Sequence, residues 1–312
     1  MKSFLARLSL FSGILVFFLV AIAILIPATP RTKTSLIFAK LDKDQLLQNT
    51  APPRVLLLGG SNMSMGIDSN ILKKELGLNP INTAIHASIG LDFMANNVIE
   101  YIQPGDIVIV SLEYSQFYGQ YMYGGEELLR TVFDVDRSSL ESLDLRQWLS
   151  IIRFIPKYSI SKINPTEYNF KEPENIGVHE RDSYNEFGDA YIHWTKPAET
   201  IEPYHRIEKF YNQGVVDLLI DFEGLVNARG GKMVVTYPAI QEDTYQNMRE
   251  QIQHVQVELE KSGLTIMGTP ETYIVSDDLL FDTPYHLTYE GVQRRTNQLV
   301  EDLVNVGVLG KE

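Results

Sequence analysis

The 312-residue chain contains no cysteine. That single absence excludes disulfides, thiol catalysis and cysteine-ligated zinc. Histidine is scarce as well, with six residues in all. His179, His193, His205 and His254 fall in no His-Glu-x-x-His pattern or comparable spacing, so they read as surface or structural histidines and no metal or other cofactor is expected. Positive charge is in short supply too, 27 basic residues against 40 acidic. Lys2 and Arg7 precede the first apolar run, so the rest of the chain sets 25 basic residues against 40 acidic, a net charge of −15. A surface so acidic is a poor platform for nucleic acid or for anionic lipid taken as a whole.

Only one hydrophobic run is long. Leu8 to Pro27, LSLFSGILVFFLVAIAILIP, has no charged residue over about the length needed to cross a bilayer. A cleaved signal peptide is the rival reading, but AILIPATPR supplies a small-x-small site poorly. Residues 1–30 are therefore expected to be a membrane anchor with a cytoplasmic amino terminus and the remaining chain outside the cytoplasm, making a single-pass membrane protein. Residues 31–53 read as a mixed polar linker ending in APP.

From residue 54 to 312, strand-type runs alternate with helical patterns: RVLLLGG, DSNILKKELG, PINTAIH, LDFMANNVIEYIQ, GDIVIVSLEY. The alternation pauses over 116–203, a stretch rich in Phe117, Tyr118, Tyr121, Tyr123, Trp148, Tyr184 and Trp194. It resumes with a helical stretch from Tyr204 to Ala228, the strand GKMVVTYP, a helix over Glu242 to Lys261, the short strand LTIMG and a last helix from about Thr288. Such alternation predicts an α/β fold, a three-layer, doubly wound parallel sheet of flavodoxin-like type, with ligands at the carboxyl ends of its strands. The aromatic insertion is either a lid or groove for a sugar or acyl chain, or a small helical subdomain that uses its rings as core.

Two stretches carry the chemistry. In RVLLLGGSNMSMGIDS, four apolar residues run into Gly59 and Gly60, as a buried parallel strand entering a tight turn does, so Ser61 is presented at a strand's carboxyl end. The turn lacks the Gly-Lys-Ser/Thr ending of a P-loop, and Met63 stands where an α/β-hydrolase elbow needs glycine. In LLFDTPYHLTYEGVQRRTNQLV, Thr288 can cap a helix whose apolar face runs through Val292, Leu299, Val300 and Leu303. His286 then lies in the loop before a helix amino terminus, and Asp282 precedes it by four residues across Pro284. A hydroxyl nucleophile needs a general base, and the base needs an orienting acceptor; Ser61, His286 and Asp282 are one candidate for each role.

With those residues in view, the chain resembles the SGNH, or GDSL-type, hydrolase superfamily. GGSN stands where that family shows its Gly-Asp-Ser block, and DTPYH stands where it shows Asp-x-x-His, one residue longer here. The resemblance covers most of Arg54 to the end apart from the insertion, and implies a Ser61–His286–Asp282 triad. In the family's second block NTAIHASIG aligns Ala87 with the expected glycine, followed by Ser88 and Gly90, whose amides are oxyanion candidates. Its third block ordinarily offers an asparagine, but here the strand ends VSLEYSQF; Glu113 cannot donate a hydrogen bond when ionised, which leaves Tyr114 or Asn62 as replacements. His86, in the second turn, reads as a buried neutral histidine. Among membrane-anchored members, the resemblance implies an esterase or acyltransferase acting on acyl esters of cell-envelope glycans or teichoic acids beside a membrane-bound O-acyltransferase. A catalytically inactive SGNH-like module that binds glycan or scaffolds an envelope complex is the alternative.

Overall fold

The apolar run Val55 to Leu58 becomes an interior strand of a parallel sheet, beside a central strand, Ile107–Ser111, that is almost as continuously apolar. The computed structural model describes residues 1–171 and 175–308. Its main sheet comprises β1 (Arg54–Gly59), β2 (Asn79–Asn82), β3 (Ile107–Ser111), β4 (Lys232–Thr236) and β6 (Ile266–Met267), in the order β2-β1-β3-β4-β6 and parallel throughout. A second, two-stranded parallel sheet pairs β5 (Ile240–Gln241) with β7 (Ile274–Val275). Alternation along the strands divides the core into two halves. Val55, Leu57, Ile107 and Ile109 pack with Leu72, Leu299 and Leu303 from the helices Ser69–Leu76 and Tyr289–Val306. Leu56, Leu58, Val108 and Val110 face the other way, onto the helices Leu91–Ile99, Gly214–Ala228 and Glu242–Lys261. The result is three layers, helix on sheet on helix, with the strand order of a doubly wound fold.

Two expectations change. The linker is folded: Ala39–Asn49 is a helix whose Leu47 joins the core and whose buried Lys43 ammonium donates to the carbonyls of Asn82, Ala84 and Gly188. A polar sequence conceals this because the lysine satisfies backbone oxygens at the end of β2 rather than meeting water. The helix expected from Tyr204 begins only at Gly214; upstream, the backbone is held instead by side chains, Tyr204 N–H on Thr244 and Ile207 on both ends of the Gln251 amide. The insertion is made of short turns and helices, and Phe117, Tyr118 and Tyr123 belong to the main core cluster. For those three rings the core reading holds.

Arg54 opens β1 with no exposure at all, its guanidinium donating to Asp106, to the Leu47 carbonyl at 2.8 Å and to the Tyr101 carbonyl at 2.7 Å. Removing one partner of such a pair strands a buried charge. Arg54→Ala is expected to lower unfolding stability by about 3 to 5 kcal/mol in urea titrations; an unchanged midpoint would show that Asp106 is not held as a buried carboxylate.

Candidate active site

Parallel register sets the site. Gly59 pairs with Ser111 between β1 and β3, so Ser61 and Glu113 each stand two residues past a paired position and the two strands deliver them side by side. Ser61 Oγ donates to Glu113 Oε1 at 3.1 Å, and the Asn62 amide bonds the same carboxyl. Gly60 has to be small: a Cβ there would come within 2.8 Å of Ala87 Cβ and 2.9 Å of Glu113 Oε1. Burial pushes the Glu113 carboxyl above its usual range, against a smaller opposing pull from the His286 charge and the bonds from Ser61 and Asn62. Glu113 is thus the group to which Ser61 donates and which the charge of His286 reaches, while Ser61 and His286 themselves form no hydrogen bond among the described residues.

His286 is held by the loop before the last helix. Its carbonyl accepts from Phe281 N–H at 2.9 Å, and Thr288 caps the helix through Gly291 N–H. The ring is buried, and its Nδ1 lies 2.6 Å from Asp282 Oδ1. The extra residue in DTPYH therefore does not prevent the pair from closing. The other oxygen of Asp282 is 3.4 Å from His179 Nε2. Burial opposes the charged form of Asp282, but the bonds and charges of the two imidazoles outweigh it and hold the carboxyl well below its ordinary range. An ionised Asp282 fixes the proton on His286 Nδ1 and leaves Nε2 as the free basic nitrogen. His179, read from sequence as a bland surface histidine, is a second clamp on Asp282; no local motif announces it, because it reaches in from the insertion.

The oxyanion candidates separate. Asn62 turns its side chain away, onto the Ser111 carbonyl and hydroxyl at 3.2 and 3.3 Å, and its buried Oδ1 makes no bond. Ser88 N–H is taken by His86 Nδ1 at 3.0 Å and Gly90 N–H by the Ala87 carbonyl. That leaves Ala87, packed against Gly60, as the candidate amide with no acceptor among the described residues. The Tyr114 side chain is fully buried in the core, its orphaned hydroxyl near the rings of Tyr285, Tyr237 and Tyr245, and it makes no contact with Ser61 among the described residues. Glu113, not Tyr114, fills the place beside the serine. Burial, reinforced by the charges of His286 and His179, lowers His86 to about 4, so it is neutral as expected. His193 is likewise lowered to about 4, by burial first and His286 next, and its Nε2 meets the Met65 carbonyl.

A cavity of about 710 Å³ opens beside this turn, lined by Ser88, Tyr121, Arg146, Leu149, Phe154 and Phe210 among others. Tyr121 on its wall is bonded to Ser88 and sits within electrostatic reach of Glu113, while Ser61, Glu113 and His286 are not among the lining residues. Trp148 packs edge-on against Phe133 and Trp194 stacks on Tyr289 at 4.8 Å, so both are structural. No group of three or more metal-ligating side chains is assembled among the described residues. No protein-family model matches the chain, and no curated protein matches it in sequence.

Proposed function

We propose that the protein is a membrane-anchored serine esterase or acyltransferase of the SGNH type, acting on acyl esters of cell-envelope glycans. The observation that supports this reading is the 2.6 Å His286–Asp282 pair, whose imidazole lies within electrostatic reach of Glu113, the carboxyl to which Ser61 donates at the carboxyl edge of the sheet. Ser61 Oγ attacks the acyl carbonyl while His286 Nε2 takes its proton, and Asp282 steadies the resulting imidazolium. The Ala87 amide supports the oxyanion. His286 returns the proton to the leaving alkoxide, and water or a sugar hydroxyl then releases the acyl group through the same base. In this reading the Lys2–Leu25 helix, apolar and long enough to cross a bilayer, anchors the enzyme with its domain outside the cytoplasm, where a membrane-bound O-acyltransferase is a fitting partner.

The second reading is an inactive module of the same type that binds glycan or scaffolds an assembly complex. It is favoured by one observation, the acceptor carboxyl of Glu113 on the Ser61 hydroxyl. Labelling of the full-length protein in detergent by an alkyl fluorophosphonate separates the two. The enzyme reading expects labelling that Ser61→Ala abolishes and His286→Ala lowers by several orders of magnitude, since knocking out either member of such a unit costs on the order of 10⁶ in kcat. An unlabelled wild type favours the module, and labelling that survives Ser61→Ala moves the nucleophile elsewhere.

A further inference from the structure

The acidity of the chain is not uniform. Between Leu145 and Ile163 stand Arg146, Arg153, Lys157 and Lys162 and no acidic residue. The same segment concentrates five strongly exposed apolar side chains: Leu145 at 73%, Leu149 at 64%, Ile152 at 56%, Ile160 at 60% and Ile163 at 55%. Leu145, Leu149 and Ile152 are spaced four and three apart along Leu145–Ile151 and the turn after it, and Ile160 and Ile163 three apart at the end of the helix Ile155–Lys162, so each set lies on one face. Lys162 is buried in an ion pair with Asp134, but Arg146, Arg153 and Lys157 are exposed among these side chains; such apolar faces left in water cost free energy, and cations interspersed with them fit an anionic headgroup layer.

The position of this segment is tied to the N-terminal helix. Ser159 Oγ donates to the Leu19 carbonyl at 2.7 Å, while Lys162 and Arg137 donate to the Ile26 carbonyl at 3.2 and 3.3 Å. With Arg7 as the last charge before the apolar run, Leu8 to Leu25 covers only about 27 Å at 1.5 Å per residue, a little less than the roughly 30 Å hydrocarbon thickness of a bilayer. Every turn of it is needed to cross. Leu19 then lies about 9 Å along the helix inside that end, and the domain surface bonded to it stands at the depth where acyl chains meet headgroups. Ile26, ringed by two cations, marks the headgroup level.

We propose that Leu145–Ile163 is a second membrane contact, a monotopic surface that docks beside the N-terminal helix on a leaflet rich in anionic lipid. Arg146, Leu149, Arg153 and Phe154 of that segment also wall the cavity that leads to Ser88. Docking turns the cavity mouth toward the lipid, so the substrate of the proposed reaction is drawn from the bilayer surface rather than from bulk solvent. The inference rests on the anchor reading of Lys2–Leu25 and not on the triad.

The lack of cysteine makes the test direct. Full-length protein carrying a single environment-sensitive label at Leu149→Cys, Ile160→Cys, Phe11→Cys or Val257→Cys is reconstituted into vesicles of phosphatidylcholine alone or with about a third phosphatidylglycerol, with nitroxide-bearing lipid as quencher. Variants must retain the wild-type melting temperature. The proposal expects blue-shifted emission and quenching at 149 and 160, as at 11, with 257 reading water, and stronger quenching in the anionic vesicles. Arg153→Gln and Lys157→Gln are each expected to lower the docked-to-undocked ratio about fivefold there and little in neutral vesicles. Labels at 149 and 160 that read water while 11 reads lipid overturn the docking and leave the anchor standing. Equal readings in both lipids overturn the role of charge. Water at 11 removes the anchor and the proposal together, whereas fluorophosphonate labelling of Ser61 in detergent is decided independently of all four.

Discussion

Glu113→Gln is expected to raise the rate at which Ser61 is phosphonylated or acylated, by on the order of 10²-fold near and above neutral pH. The reason is positional. Glu113 stands in parallel register beside Ser61, the proposed nucleophile, with Ser61 Oγ 3.1 Å from Oε1 and the Asn62 amide on the same carboxyl. Charge that develops on a substrate's carbonyl oxygen beside Ser61 meets either a neutral acid able to donate or a carboxylate that repels it. A side-chain donor in such a place is worth about 2.7 to 4 kcal/mol of transition-state stabilisation, and a glutamine amide supplies one at every pH. In the wild type the donor exists only while the carboxyl is protonated. Burial raises its folded pKa, so the protonated form persists to higher pH than for an exposed glutamate, and the rate falls as pH rises through that raised value. Glu113→Gln should erase this alkaline fall. Both proteins lose rate in acid, where a protonated imidazole cannot accept the Ser61 proton. Fluorophosphonate labelling rates across pH read both features. A slower Glu113→Gln, or one with the wild-type profile, would assign the carboxyl to proton acceptance or to structure instead.

What was legible in the sequence follows the physics that is local to it. RVLLLGG declares a buried strand because four apolar residues and two glycines leave few alternatives, and the alternation of strand and helix patterns leads to the parallel sheet. The pairing of Asp282 with His286 was readable because four residues across a proline bring the side chains into reach. Contacts fixed by register or by remote chain were not. Nothing near VSLEY says that Glu113 will abut Ser61; that comes from Gly59 meeting Ser111 in the sheet. Lys43 reads as one more polar linker residue until three carbonyls from distant turns surround it. Net charge is blind to distribution in the same manner, since −15 spread over the chain says nothing of a nineteen-residue stretch, Leu145 to Ile163, that has basic residues and no acidic one.

Acid is expected to destabilise the folded protein well before the carboxylates titrate, through His86 and His193. His193 is buried and His86 half-buried, and both are lowered from 6.5 to about 4, by burial first and then by the charge of His286. Folding therefore excludes protons that the unfolded chain binds between pH 4 and 6.5. With more protons on the unfolded side, stability rises with pH through that window and is lost as pH falls through it. Each histidine contributes about 3 kcal/mol at 1.36 kcal/mol per unit, so the pair removes up to about 6 kcal/mol between pH 7 and pH 4, an amount comparable to the whole stability of many domains. Asp282 does not blunt this fall: its folded value is depressed, so the stability it adds is lost only below the ordinary carboxylate range. Urea midpoints measured from pH 7 to 4 should drop steeply. His193→Gln, which keeps a donor for the Met65 carbonyl bonded at 3.2 Å and cannot be charged, should flatten the drop by about half. A slope that His193→Gln leaves intact would place the proton uptake elsewhere.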